Sequence, residues 1–119
     1  MEPTNIITLD HDIEFDTYKE SVTFDILKKW YLEWKQHIVG IWYRKSSNGN
    51  VHIKIEWVQP LDPLRWFELR AWLRDDVYRL RIDMCRDYQG DQVNRLWDEK
   101  YNSATQELKK AEDWQVLEF

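Results

Sequence analysis

Ser47-Asn48-Gly49-Asn50 lies between two runs rich in β-branched and aromatic residues, His37 to Ser46 and Val51 to Val58. Asn-Gly accepts positive φ at little cost, so this pattern commits the middle of the chain to a β-hairpin. The second run alternates cleanly. Val51, Ile53, Ile55 and Trp57 take one face, and His52, Lys54 and Glu56 the other.

Other elements follow from the same periodicities. Asn5 to Asp12 reads as a strand, with Ile7 and Leu9 on one face and Ile6, Thr8, Asp10 and Asp12 on the other. His11 points to the covered face and is expected to be structural. Ser21 or Thr23 can cap a helix to about Gln36, whose apolar face is Phe24, Leu27, Tyr31 and Trp34. Asp62-Pro63 starts a second helix to about Arg74, with Trp66, Leu69 and Leu73 as its stripe. Val77 to Cys85 alternates like a fourth strand, with Tyr78, Leu80, Ile82 and Met84 facing inward and Arg79, Arg81, Asp83 and Cys85 outward. Asp91 to Ala111 reads as a last helix. The aromatic tail Trp114 to Phe119 is read as docking on the core or on a partner.

With 119 residues the chain suits one domain, 1–119. The fold class is α+β. The order β-α-β-β-α-β is ferredoxin-like (RRM-like), with both helices on one sheet face and a C-terminal helix added. In that fold the first strand is central, between the third and the fourth. Asp10, Asp12, His52 and Asp83 are then expected side by side on the uncovered face. Clustered carboxylates repel unless a cation lies between them, and hard oxygen ligands suit Mg²⁺ or Mn²⁺.

Three motifs in this order resemble the archaeal-eukaryotic primase superfamily. The first is a strand ending in an Asp-x-Asp pair, Ile6-Ile7-Thr8-Leu9-Asp10-His11-Asp12. The second is a small-residue turn leading to a strand that begins with His, Ser46-Ser47-Asn48-Gly49-Asn50-Val51-His52. The third is the hydrophobe-Asp pair Ile82-Asp83, and Leu73-Arg74-Asp75-Asp76 resembles its usual lead-in. The resemblance implies a metal-dependent nucleotidyltransferase in priming or replication. Asp10, Asp12 and Asp83 would be catalytic metal ligands. Ser46, Ser47, Asn48, Gly49, His52 and Arg81 would contact a nucleoside triphosphate, with a DNA or RNA template as partner. Family catalytic domains carry an N-terminal template-holding unit, whereas the Asp-x-Asp strand begins almost at once here. The expectation is a minimal viral or plasmid version, a subunit of a larger assembly or homo-oligomer, or a relic that binds without polymerising.

Each motif alone has a plainer meaning. Asp10 and Asp12 can end a strand at a solvated loop, His52 can be a surface residue, and Asp83 can pair with Arg79 or Arg81. Two other functions use the same fold. A rolling-circle replication initiator needs a His-hydrophobe-His motif and a Tyr nucleophile on a later helix. Tyr101 fits the latter, but the strand reads His52-Ile53-Lys54. A non-catalytic nucleic-acid-binding module that binds single-stranded RNA needs aromatic rings on the sheet face, which is expected to carry Asp10, Asp12, His52, Lys54 and Glu56 instead. The abundant Trp supports an assembly protein with an aromatic interface as a further alternative.

Charge and composition narrow the setting. A formal net charge of −5 argues against tight unspecific binding to nucleic acid. A single cysteine, Cys85, excludes an intrachain disulfide framework and fits a reducing cytoplasm, that of the host if viral or plasmid-encoded. No apolar run approaches the roughly 20 residues of a membrane span, and Met-Glu-Pro-Thr lacks the form of a signal peptide.

Overall fold

A computed structural model describes residues 4–89, 96, 99–102 and 106–119. The predicted hairpin is present. β2 (Ile38–Lys45) and β3 (Val51–Leu61) pair antiparallel, and Gly49 takes φ 86° in the turn between them. β1 (Thr4–His11) pairs antiparallel with the other side of β3.

The register puts Ile7, Ile55 and Ile41 in one row across the three strands, and Leu9, Ile53 and Tyr43 in the next. This face is the core. α1 (Val22–Trp34) contributes Phe24, Leu27 and Trp30 to it, and α2 (Pro63–Trp72) contributes Trp66 and Phe67. Ser21 caps α1, its Oγ accepting from Phe24 N at 3.1 Å. Pro63 opens α2, where a missing N–H costs nothing. The segment Phe15–Glu20 is a 3₁₀ helix that buries Tyr18.

The aromatic tail docks on the core. β6 (Gln115–Val116) pairs with β2, giving the sheet order β1-β3-β2-β6. Leu117 is buried, and its N–H donates to Ile41 O at 2.8 Å. Phe119 stacks on Phe24 and Tyr31, with centroids 5.6 and 4.7 Å away.

Two expectations are corrected. The predicted fourth strand is a helix, α3 (Val77–Gln89), so the ferredoxin-like β4 beside β1 is absent from the described sheet. The segment carries both periods: apolar residues alternate, but Asp75, Arg79 and Asp83 recur every four residues, the spacing of one helix face. Asp76 tips the balance by capping. Its Oδ1 accepts from Tyr78 N at 2.8 Å and Arg79 N at 3.0 Å. The predicted helix over Asp91 to Ala111 lies partly outside the described residues. Where it is described it forms a hairpin, β4 (Glu99–Asn102) with β5 (Glu107–Lys110). The register sets Glu99 opposite Lys110 and Tyr101 opposite Leu108.

The outer edge of β1 is closed by side chains and a turn instead of a strand. Asp75 Oδ1 accepts from Asp10 N at 2.7 Å, Asp76 N donates to Asp10 O at 3.1 Å, and Arg79 Nη1 donates to Thr8 O at 3.0 Å. Behind this edge, Asp75 Oδ2 accepts from Arg70 Nε at 2.7 Å and from Arg79 Nη1 at 2.9 Å. Asp83 Oδ2 accepts from Arg70 Nη1 at 2.8 Å. α2, α3 and β1 thus meet on buried charge. Among the described residues no helix is long and apolar enough to cross a membrane.

Removing one partner of such a group leaves the others charged and dry. Asp75→Ala is expected to lose about 3–5 kcal/mol of stability in urea unfolding. A loss under about 1 kcal/mol, the worth of an exposed pair, would show that the network does not hold this corner together.

Candidate functional site

Strand alternation turns Thr8 and Asp10 away from the core, and the register carries their face across the sheet. Asp10 stands opposite His52, and His52 opposite Arg44; Thr8 stands opposite Lys54, and Lys54 opposite Trp42. The β6 end adds Trp114, whose ring lies 4.3 Å from the Arg44 guanidinium carbon and 4.7 Å from Lys54 Nζ. This face is covered at its middle. His52 and Arg44 are each only 5 % exposed. Arg44 Nε donates to His52 Nδ1 at 3.0 Å, which fixes the His52 tautomer with its proton on Nε2.

The Asp-x-Asp strand and the turn meet at one end of the sheet. Asp12, exposed just past β1, accepts at Oδ1 from Asn50 Nδ2 at 2.7 Å. The turn itself is closed inward. Gly49 N donates to Ser46 O at 3.0 Å, and Asn50 N donates to Ser46 Oγ at 3.1 Å. Those two amides are therefore spent within the turn. Ser46 is buried, Ser47 half-buried and Asn48 exposed.

Asp83 does not join this group. It is 2 % exposed on α3, bonded to Arg70, with Arg86 Nη1 4.0 Å from its Oδ1. Arg81 is exposed elsewhere on the same helix. The strand reading put both on the sheet face; the helix turns them away from one another. Among the described residues no three of His, Cys, Asp and Glu are gathered as a metal would require. Tyr101 lies on β4 rather than on a helix.

Asp10 is the perturbed carboxylate here. Burial, reinforced by the charges of Asp75, Asp76 and Asp12, pushes its pKa up to about 6, against the pull of Arg79. Arg79 reaches around the β1 edge, donating also to Thr8 Oγ1, and burial lowers its own pKa against the charge of Asp75. Sequence reading missed the Arg70–Asp75–Arg79–Asp83 network, though its four-residue charge spacing was the available signal. It also gave Trp114 no place on this face, which only the return of the tail to β2 creates.

On the core face His11 is a buried connector. Its Nε2 donates to Leu73 O at 2.8 Å, so its Nδ1 accepts from the Tyr18 hydroxyl at 2.7 Å. Burial lowers the His11 pKa below 6.5 and raises that of Tyr18.

The two shifts have opposite consequences. The folded state prefers neutral Asp10, so stability falls as pH rises from about 4 to about 6. The folded state also prefers neutral His11, so stability falls as pH drops below 6.5. In metal-free buffer, Asp10→Asn is expected to gain stability relative to wild type across the first window. His11→Gln is expected to gain relative to wild type as pH falls through the second. Urea unfolding at a series of pH values measures both, and parallel curves for wild type and variant would refute the assignment.

No family model, curated protein or solved structure matches the chain.

Proposed function

We propose that this protein binds a nucleoside triphosphate with its divalent cation on the second sheet face and serves primase-type nucleotidyl transfer. One observation carries this proposal. Asp10 and His52, from the two most informative motifs, stand directly opposite each other on β1 and β3. Asp12 and the Ser46–Asn50 turn join them through the Asn50 amide. The order β1, α1, β2, β3, α2, with β3 between β1 and β2, is that of the first five ferredoxin-like elements.

The carboxylates fit a metal in a particular way. Mg²⁺ keeps most of its water and is commonly held by one or two carboxylates together with substrate phosphates. Asp10 and Asp12 would supply that pair, and a divalent cation held there would supply neutralisation of phosphate charge and activation of an attacking hydroxyl. His52 as an imidazole N–H and Arg44 as a guanidinium would be the phosphate contacts, which requires Trp114 to move from over Arg44, since both residues are 5 % exposed. The raised pKa of Asp10 means that a bound cation displaces a proton near pH 6. Asp83 keeps α3 against α2 and takes no part.

Calorimetry with Mn²⁺ and ATP tests this directly. Wild type is expected to bind Mn²⁺·ATP, Asp10→Ala to lose that binding, and His52→Ala to weaken it about tenfold, the worth of one charge-assisted hydrogen bond. Asp83→Asn should affect stability more than nucleotide affinity. Absence of Mn²⁺·ATP binding by folded wild type sinks the proposal. Incorporation of labelled nucleotide on a primed template with Mn²⁺ separates a working transferase from a binding relic.

A further inference from the structure

α3 is built inside out. Its inward side carries Arg79 and Asp83 with Leu80, and its outward side carries Val77, Tyr78, Ile82 and Met84. Tyr78 and Ile82 stand one turn apart, and Val77 and Met84 two turns apart. Tyr78 is 72 % exposed, Trp72 at the end of α2 is 71 % exposed, and the other three are half exposed. At roughly 200 Å² per ring, Trp72 and Tyr78 alone leave on the order of 300 Å² in water. That equals a large apolar patch on an ordinary monomer, about 300–600 Å², before Val77, Ile82 and Met84 are added.

The charges of the same stretch are sorted the other way. Asp75 and Asp83 are buried against Arg70. Asp76 is spent on the Tyr78 and Arg79 amides. Arg74 and Arg81 are exposed, and the Arg86 side chain is 42 % exposed. The exposed charge between Trp72 and Arg86 is therefore cationic, on a chain whose formal net charge is −5. Arg74 even holds φ 63° to end α2, a position that glycine takes more cheaply.

Two copies meeting through this face on a two-fold axis would set arginine against arginine. An anionic lipid surface answers both halves of the pattern. The apolar side chains enter the boundary between headgroups and acyl chains, and Trp and Tyr rings favour the headgroup level. Arginine lays its stem along the apolar surface while its guanidinium reaches a phosphate. We propose that α3 and the turn before it dock this protein on the surface of an anionic membrane. The contact is peripheral: α3 lies along the surface, with its Asp83 side towards the protein. It uses no residue of the nucleotide site and stands independently of that reading.

Co-flotation with phosphatidylcholine vesicles, with and without phosphatidylglycerol, reads the docking. Wild type is expected to float with the anionic vesicles at low salt and to be released as salt screens exposed charge. Arg81→Gln should weaken binding about fivefold, the share of one basic residue near an anionic surface. Arg74→Gly relieves the left-handed turn, so it should weaken binding without loss of stability in urea. Tyr78→Ser with Ile82→Ser should abolish flotation. Both side chains are exposed, so that variant keeps its fold, which circular dichroism checks; Arg74→Gly serves if it does not. No flotation by wild type overturns the proposal. So does unchanged flotation in the Tyr78/Ile82 variant, or equal binding to vesicles without phosphatidylglycerol. Dimers in sedimentation that the Tyr78/Ile82 variant breaks, with no vesicle binding, overturn it in favour of a second copy on this face.

Discussion

The Asp75 carboxylate is the interaction on which the arrangement of this protein depends. One oxygen accepts from the backbone of β1 at Asp10, and the other from Arg70 of α2; Arg79 of α3 donates to both. A buried carboxylate among two guanidiniums and an N–H is stable only while every partner is in place. It therefore ties three elements to one geometry. It also does the work of a missing strand. An edge strand left open presents unpaired backbone groups to other chains. Here Asp75, Asp76 and Arg79 satisfy the outward groups of Thr8 and Asp10.

That clamp is where the sequence was read least well, and the reason is physical. The hairpin around Gly49, the alternation of β1 and β3, the Ser21 cap and the Asp62-Pro63 helix start are local signals. Each was legible because its residues interact with near neighbours in the chain. In Val77 to Cys85 two local signals compete. Tyr78, Leu80, Ile82 and Met84 alternate as a strand would, but Tyr78, Ile82 and Met84 are exposed in the helix that forms. The helix wins because Arg79 and Asp83 must lie on one side to meet Asp75 and Arg70. Arg70 comes from another element, so its demand is hard to see in a window of nine residues. The tail is similar. Trp114 gains its place beside Arg44 only because β6 returns to β2 across most of the chain length.

The candidate site was legible in half its parts for the same reason. Asp10 and His52 lie on strands that local pattern could predict, and Asp12 and the turn lie at the ends of those strands. Asp83 and Arg81 depended on the fourth strand, and the helix moved them. What remains is a two-carboxylate group rather than three.

The clamp also shapes the chemistry of the site it borders. Asp75 and Asp76 hold the backbone of Asp10, and their charges approach its side chain as a consequence. Burial makes the Asp10 carboxylate costly to ionise, and the charges of the residues that complete the β1 edge add to that cost. Arg79, bonded to Asp75 at the same edge, opposes them. A carboxylate so balanced, with a pKa of about 6, changes charge in response to a small electrostatic input. The cation proposed at Asp10 and Asp12 would be such an input. Structural closure of the sheet edge and the raised pKa of Asp10 are therefore parts of one arrangement of charge.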